Sequence, residues 1–313
     1  MIKTAILGFA AALTMLSAPV EARTYQPHLI DLEERIGQTA SENSGEFGIA
    51  ALDLTTGETV GVNANIPFPM ASTMKIAVAA AYLEDVDRRE RALSDSVAGQ
   101  SAYALMDRMI VRSDNHATDL LIRHLGGPDA INAWLRRHSI DGMRVDRTIA
   151  QLLAAKRNLW ENEDTSTPNS MLTLLQGIDS GQILSASSRA TLLDMMRRCA
   201  TGRNRIKGLM PDGAIVEHKT GTLNGYTGDV GFITLPDGRR LAVAFFARGG
   251  SNRPAVIAST ARAIYDSFNT RRPSLPAPED YSFAQATTVP STPDSSFGRV
   301  TLDAKWDDGV IQK

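Results

Sequence analysis

Apolar positions along the chain follow two periods that change in blocks. From Pro27 to Thr39, Leu29, Ile30, Leu32 and Ile36 recur on one side at helical spacing. Gly45 to Leu54 alternates, turns at Thr55-Thr56-Gly57, and continues into a short strand from Glu58 to Val62, which predicts a hairpin. Ser72 to Val86 is apolar all round and predicts a buried helix, followed by a charged connector from Asp87 to Arg91. Helical period returns over Ser101–Val111, Ala117–Leu125, Pro128–His138, Pro168–Ser180 and Ser185–Thr201, with a helix-start signal at Asp164 to Pro168. Strand character reappears at Ala214–Glu217, Thr227–Leu235 and Arg240–Ala247, the last two joined by the turn Pro236-Asp237-Gly238. An amphipathic helix from Arg253 to Phe268 closes the pattern. Strands thus flank a helical block, and helices flank the strands. The expected class is α+β: an antiparallel sheet flanked by N- and C-terminal helices, about 23–70 and 209–270, with an inserted all-helical subdomain over about 71–208. A cleft between the two lobes is the natural site.

Both ends depart from this pattern. Lys3, the apolar run Ala5 to Leu16 and the small-x-small triplet Val20-Glu21-Ala22 read as a signal peptide over residues 1–22. The run is short for a bilayer span of about 20 residues. The expectation is an exported, periplasmic or secreted protein with no stable membrane insertion once the signal is removed. Residues 271–313 are Pro-, Ser- and Thr-rich, with Pro273, Pro276, Pro278, Pro290 and Pro293, and read as a disordered tail.

Composition narrows the function classes. Net charge is −2 and aromatics make up 6%, so neither a basic field nor a stacking platform argues for nucleic acid. Cys199 is the one cysteine, which rules out a disulfide within the chain; its helical surroundings read it as a small core residue. His28, His116, His124, His138 and His218 lack paired zinc spacing, so no metal and no cofactor are expected. Gly225 to Gly231 lacks the ending of a phosphate loop. A monomer acting on a small molecule fits this balance.

Three short elements carry chemistry. Ser72 stands at a predicted helix start, and Lys75 follows one turn later, where an amine of depressed pKa could take the hydroxyl proton. Ser113-Asp114-Asn115 follows a predicted helix: Ser113 can pass a proton to a leaving nitrogen, Asp114 can fix the loop, and Asn115 can hold a substrate amide. Lys219-Thr220-Gly221 follows a predicted strand ending at Glu217-His218. Lys219 adds positive charge, Thr220 and Thr222 can bind a carboxylate, and Gly221 lets a substrate backbone approach. The N–H groups of Ser72 and Thr222 are candidate oxyanion donors. Each element alone reads as a helix cap or an edge turn; the set in this order reads as a serine acyl hydrolase.

The set resembles the class A β-lactamase family, and the resemblance spans roughly Pro27 to Phe268. It implies Ser72 as nucleophile, Lys75 as its base, Ser113 as proton relay, and Asn115, Lys219, Thr220, Gly221 and Thr222 as substrate-binding residues. Val145-Asp146-Arg147 looks like the entry of the family's omega-shaped loop and Asp164 to Pro168 like its exit, with Arg147 and Asp164 implied as the ion pair at its neck. One departure matters. Where the family carries the glutamate that activates the deacylating water, this chain has Ile149, and Leu153 stands near the place of the loop asparagine. Glu161 is the candidate replacement base, and Gln151 could orient water without deprotonating it. The stretch between Lys75 and Ser113 is also shorter than in the family, which opens one wall of the cleft. The expected substrate is a β-lactam. A D-alanyl peptide or ester, or a covalent β-lactam binder that deacylates slowly, are the alternatives.

Overall fold

The computed structural model describes residues 27–155 and 158–270; the signal-peptide and tail expectations lie outside them. In chain order, α1 (Pro27–Ser41) leads into the hairpin β1 (Glu46–Asp53) and β2 (Thr59–Val62). The two-residue strand β3 (Phe68–Pro69) precedes a 3₁₀ turn (Ala71–Met74) that runs directly into α2 (Lys75–Asp87). The helical lobe continues through the miniature hairpin β4 (Ser96–Val97) and β5 (Gln100–Ser101), then α3 (Ala102–Val111), α4 (Asn115–Leu125) and α5 (Pro128–Arg137). It ends with α6 (Ile149–Ala154), β6 (Thr165–Ser166), α7 (Pro168–Asp179) and α8 (Ala186–Arg197). A second 3₁₀ turn (Ile206–Leu209) returns the chain to β7 (Ile215–Leu223), β8 (Tyr226–Thr234), β9 (Arg240–Arg248) and α9 (Arg253–Asn269).

The main sheet has the order β2-β1-β9-β8-β7 with antiparallel neighbours. Side chains alternate across a strand, so β9 feeds two cores. Leu241, Val243, Phe245 and Ala247 pack with residues of α1 and α9; Ala242, Ala244 and Phe246 pack with the helical lobe. This explains why β9 reads as an unbroken apolar run: both faces are covered. The α+β expectation, with terminal helices on the sheet and an inserted helical lobe, is met.

Three local expectations change. The strand expected to end at Glu217-His218 runs on to Leu223, because Asn224-Gly225, with Gly225 at φ +73°, closes a tight hairpin that pairs β7 with β8 along its length. The helix expected to reach Thr201 stops at Arg197: Ala200 N donates to Val111 O instead, and Gly202 turns at φ +74°. Helix α6 was not expected. Thr148 and Gln151 form a reciprocal capping box at its start, and Asp119 of α4 accepts from Ile149 N (2.6 Å) and Ala150 N (3.0 Å). Among the described residues, no helix is long and apolar enough to cross a membrane.

Candidate active site

Strand β7 is an edge of the sheet, and its alternation sorts the chemistry. Lys219 and Gly221 face the helical lobe; His218 and Thr220 turn to the opposite face. Gly221 packs directly on the 3₁₀ turn that carries Ser72. A Cβ there would lie 2.6 Å from Met70 O and 3.2 Å from both Ala71 Cβ and Thr73 Cγ2. The glycine therefore admits the protein's own turn carrying Ser72, a role different from the expected approach of substrate.

Ala71, just before Ser72, sits at φ +48°, and Ser113 sits at φ +59°. Left-handed geometry at a non-glycine residue costs of order 1–3 kcal/mol and persists where the surroundings over-determine it. At Ser113 those surroundings are visible. Asp114 caps α4, accepting from Ala117 N at 2.8 Å, and pairs with Arg108. The bend this imposes turns both oxygens of Ser113 toward Lys75.

The two amines meet at one hydroxyl. Lys75 Nζ lies 2.8 Å from Ser113 O, 2.8 Å from Asn115 Oδ1 and 3.2 Å from Ser113 Oγ. Lys219 Nζ donates to Ser113 Oγ at 2.9 Å and to Thr220 O at 3.0 Å. Both lysines are fully buried. Burial, then the positive charge of Lys219, pulls the Lys75 amine down to about 7; Asp114 and Asp119 oppose this. Burial also brings Lys219 down to about 8, against the raising influence of Cys199 and Asp229. A neutral Lys75 can donate to the two carbonyl oxygens and accept from the Ser113 hydroxyl, which itself accepts from Lys219. That arrangement leaves Lys75 competent as a base. The hydrogen bond expected between Lys75 and Ser72 is not formed; the Ser72 hydroxyl makes no side-chain hydrogen bond within the described residues, and Lys75 turns to Ser113 and Asn115 instead.

The omega-shaped loop is tied to this centre. Arg147 Nε pairs with the buried Asp164 at 2.6 Å, as the family resemblance implies. Asp164 also accepts from the N–H groups of Asp146 and Arg147, and its carbonyl accepts from Met70 N at 2.9 Å, two residues before Ser72. Glu161 is drawn to the same neck, where it pairs with Arg147 at 2.6 Å. Ile149 is buried in the lobe's core. The Gln151 side chain is used in the capping box, accepting from Thr148 N at 2.9 Å.

Other expectations shift with the geometry. The Thr220 hydroxyl lies 2.5 Å from Thr201 Oγ1 on the far face of β7, away from the amines. Thr222 is exposed, and its hydroxyl accepts from Arg205 Nη2 at 2.6 Å. Arg205, missed in the sequence, also donates to the carbonyls of Gly221 (2.9 Å) and Gly228 (2.8 Å), adding a cation beside the site. No sequence signal marks it among the other arginines; only folding brings it to β7. Arg248, at the end of β9, is buried: it pairs with Glu46 at 2.9 Å, bonds the carbonyls of Pro67 and Leu159, and stacks on Phe68 and Trp160.

Residues 31–268 match the model of the β-lactamase enzyme family. This chain belongs to that family. Among relatives, the β-lactamase CTX-M-8 of Citrobacter amalonaticus is 28% identical, over 85% of this chain and 98% of its own length. A β-lactamase structure from Chitinophaga pinensis superposes with a TM-score of 0.72 at 28% identity, covering 76% of this chain and 100% of that one. A variant of the reconstructed class A β-lactamase of the last common ancestor of Gram-negative bacteria gives 0.71 at 30% identity, over 76% and 98%. Its neighbours thus place it in the class A branch.

Proposed function

We propose that the chain opens β-lactam rings through an acyl-enzyme on Ser72, with release of the acyl group as the slow step. The observation that carries this is the meeting of Lys75 and Lys219 on Ser113 Oγ, at 3.2 and 2.9 Å. Ser72 Oγ attacks the lactam carbonyl carbon, and its proton passes to neutral Lys75. The N–H groups of Ser72 and Thr222 receive the developing oxyanion. The carbon–nitrogen bond then breaks, Ser113 gives its proton to the ring nitrogen, and the Lys75 ammonium restores it. The net transfer is one proton from Ser72 to nitrogen. Lys219, Thr222 and Arg205 offer a positive, hydroxyl-lined rim for the substrate carboxylate, and Asn115 a partner for its amide. An exported location, as residues 1–22 suggest, would put the site where such compounds are met.

Hydrolysis of the resulting ester needs an activated water. Buried Ile149 cannot supply a base, Gln151 is used in the α6 cap, and Glu161 pairs with Arg147. These observations favour a second reading, in which the protein binds β-lactams covalently and stalls. Mixing the mature protein with a chromogenic cephalosporin separates the two: continuous turnover marks a hydrolase, and a burst equal to the protein concentration marks a covalent binder. Intact-mass analysis with no adduct on Ser72 under any β-lactam would reject both, and cleavage of an ester or D-alanyl peptide would then redirect the assignment.

A further inference from the structure

Besides its charge at the rim, Arg205 makes a set of bonds that the reaction above does not use. Its Nη1 donates to Gly221 O at 2.9 Å and to Gly228 O at 2.8 Å, and its Nη2 to Thr222 Oγ1 at 2.6 Å. Gly221 and Gly228 face one another in the β7–β8 register, so the guanidinium straddles that pair. It does so on the face of β7 that carries Thr220 and Thr222, away from the turn carrying Ser72. The backbone behind it is fixed: Arg205 N donates to Gly202 O at 3.0 Å, and Ile206 N donates to Asp229 Oδ2 at 3.2 Å.

The register also determines where the Thr222 N–H points. Leu223 and Tyr226 close a two-residue turn as a hydrogen-bonded pair, and bonded pairs alternate with open ones along an antiparallel ladder. Thr222 and Thr220 fall at open pairs, so their N–H and C=O groups turn from β8 to the free edge of β7. Thr220 O shows this directly: it accepts from Lys219 Nζ at 3.0 Å, and the same amine reaches Ser113 Oγ at 2.9 Å. The free edge therefore faces the amines, and the Thr222 N–H lies along it.

We propose that Arg205 is a positioning residue for the oxyanion: through Gly221 O it orients and polarises the peptide whose N–H, on Thr222, receives the developing charge. This rests on the acyl-enzyme reading above. Gly221 O and Thr222 N belong to one planar, resonant unit. A donor on the oxygen draws electron density from the nitrogen and leaves the N–H more positive. The guanidinium is always charged, and a charged donor is about twice as strong as a neutral one. Bonds in a chain strengthen one another by about 10–30% each. Applied to an oxyanion donor worth about 10²–10³ in rate, that strengthening amounts to about two- to eightfold. An arginine serving only to attract a substrate carboxylate would need neither carbonyl.

The test uses a chromogenic cephalosporin and its methyl ester, which has no carboxylate. In Arg205→Ala, acylation by the ester at saturation should slow by about two- to eightfold, with the half-saturating concentration unchanged. A wild-type rate with the ester, whatever happens with the free acid, overturns the proposal, because Arg205 would then act on the carboxylate alone. So does a change confined to the half-saturating concentration. Arg205→Lys, which keeps the charge but reaches one acceptor at a time, carries the same comparison should R205A not fold. A second measurement needs no substrate. In amide NMR, R205A or R205K should move the Thr222 nitrogen upfield by more than that of Thr220, whose peptide oxygen Arg205 does not bond. Equal shifts at the two, or none at Thr222, overturn the polarisation. Because that resonance does not involve Ser72, it stays decisive if no β-lactam acylates the protein.

Discussion

Replacing Gly221 with alanine tests whether the glycine serves the nucleophile turn. The added Cβ would sit 2.6 Å from Met70 O, about 0.8 Å inside an ordinary carbon–oxygen contact of about 3.4 Å. The turn cannot easily yield, because Met70 O already accepts from Thr73 N (3.0 Å) and Thr73 Oγ1 (2.8 Å), and Met70 N is held by Asp164 O. Strand β7 has the sheet on one side only, so it is the element that moves. Retreat by about 0.8 Å would stretch the 2.9 Å bond from Lys219 to Ser113 beyond hydrogen-bond range. Overpacking of this kind costs about 1–3 kcal/mol of stability. Misplacing reacting groups by about 1 Å costs about a hundredfold in rate. G221A should therefore fold, lose about 1–3 kcal/mol in chemical denaturation, and acylate about a hundredfold more slowly in an intact-mass time course. Acylation within about threefold of the wild type, under 1 kcal/mol on the barrier, would refute the reasoning.

Four further outcomes are expected. Acylation should fall below about pH 7, as Lys75 takes up a proton, and above about pH 8, as Lys219 loses one; a rate that is flat from pH 5 to pH 9 would remove both amines from the mechanism. Ser72→Ala should keep the melting temperature within a few degrees and give no mass adduct; a surviving adduct would displace the nucleophile. Arg147→Ala strips the buried Asp164 of its guanidinium partner and should cost about 3 kcal/mol in urea unfolding; Asp164→Asn in the same background should recover part of the loss if uncompensated charge is the cause. Glu161→Gln should change the decay of the acyl-enzyme less than about twofold, since the carboxylate is held by Arg147; a tenfold slowing would mean that it leaves Arg147 to activate water.

The hydrophobic pattern carried the architecture because each element's period reflects what covers it. β9 reads as continuous apolar sequence because helices pack on both faces, and α2 reads as apolar all round because the lobe encloses it. Errors fell where local sequence is ambiguous. Thr148 to Ala154 is too short to display a helical period, and its capping box gained meaning only once Asp119 supplied a second cap from a distant helix. The run Arg197-Arg198-Cys199 has helical composition, yet the backbone leaves the helix to bond Val111.

For the site, sequence alone determined which groups are present: Ser72, Lys75, Ser113, Asn115 and Lys219 by their motifs, and an apolar residue at Ile149. Tertiary structure decided what those groups face. It turned Lys75 to Ser113, sent the Thr220 hydroxyl to the far side of β7, brought Arg205 to the rim, buried Arg248 in a structural knot, and paired His218 with Asp229. The physical reason is that a motif fixes chemical identity and one turn of local geometry. Burial, charge pairing and amine basicity depend on distant neighbours, such as Ser113 and Lys219, 106 positions apart, and those are set only when sheet and helical lobe close on each other.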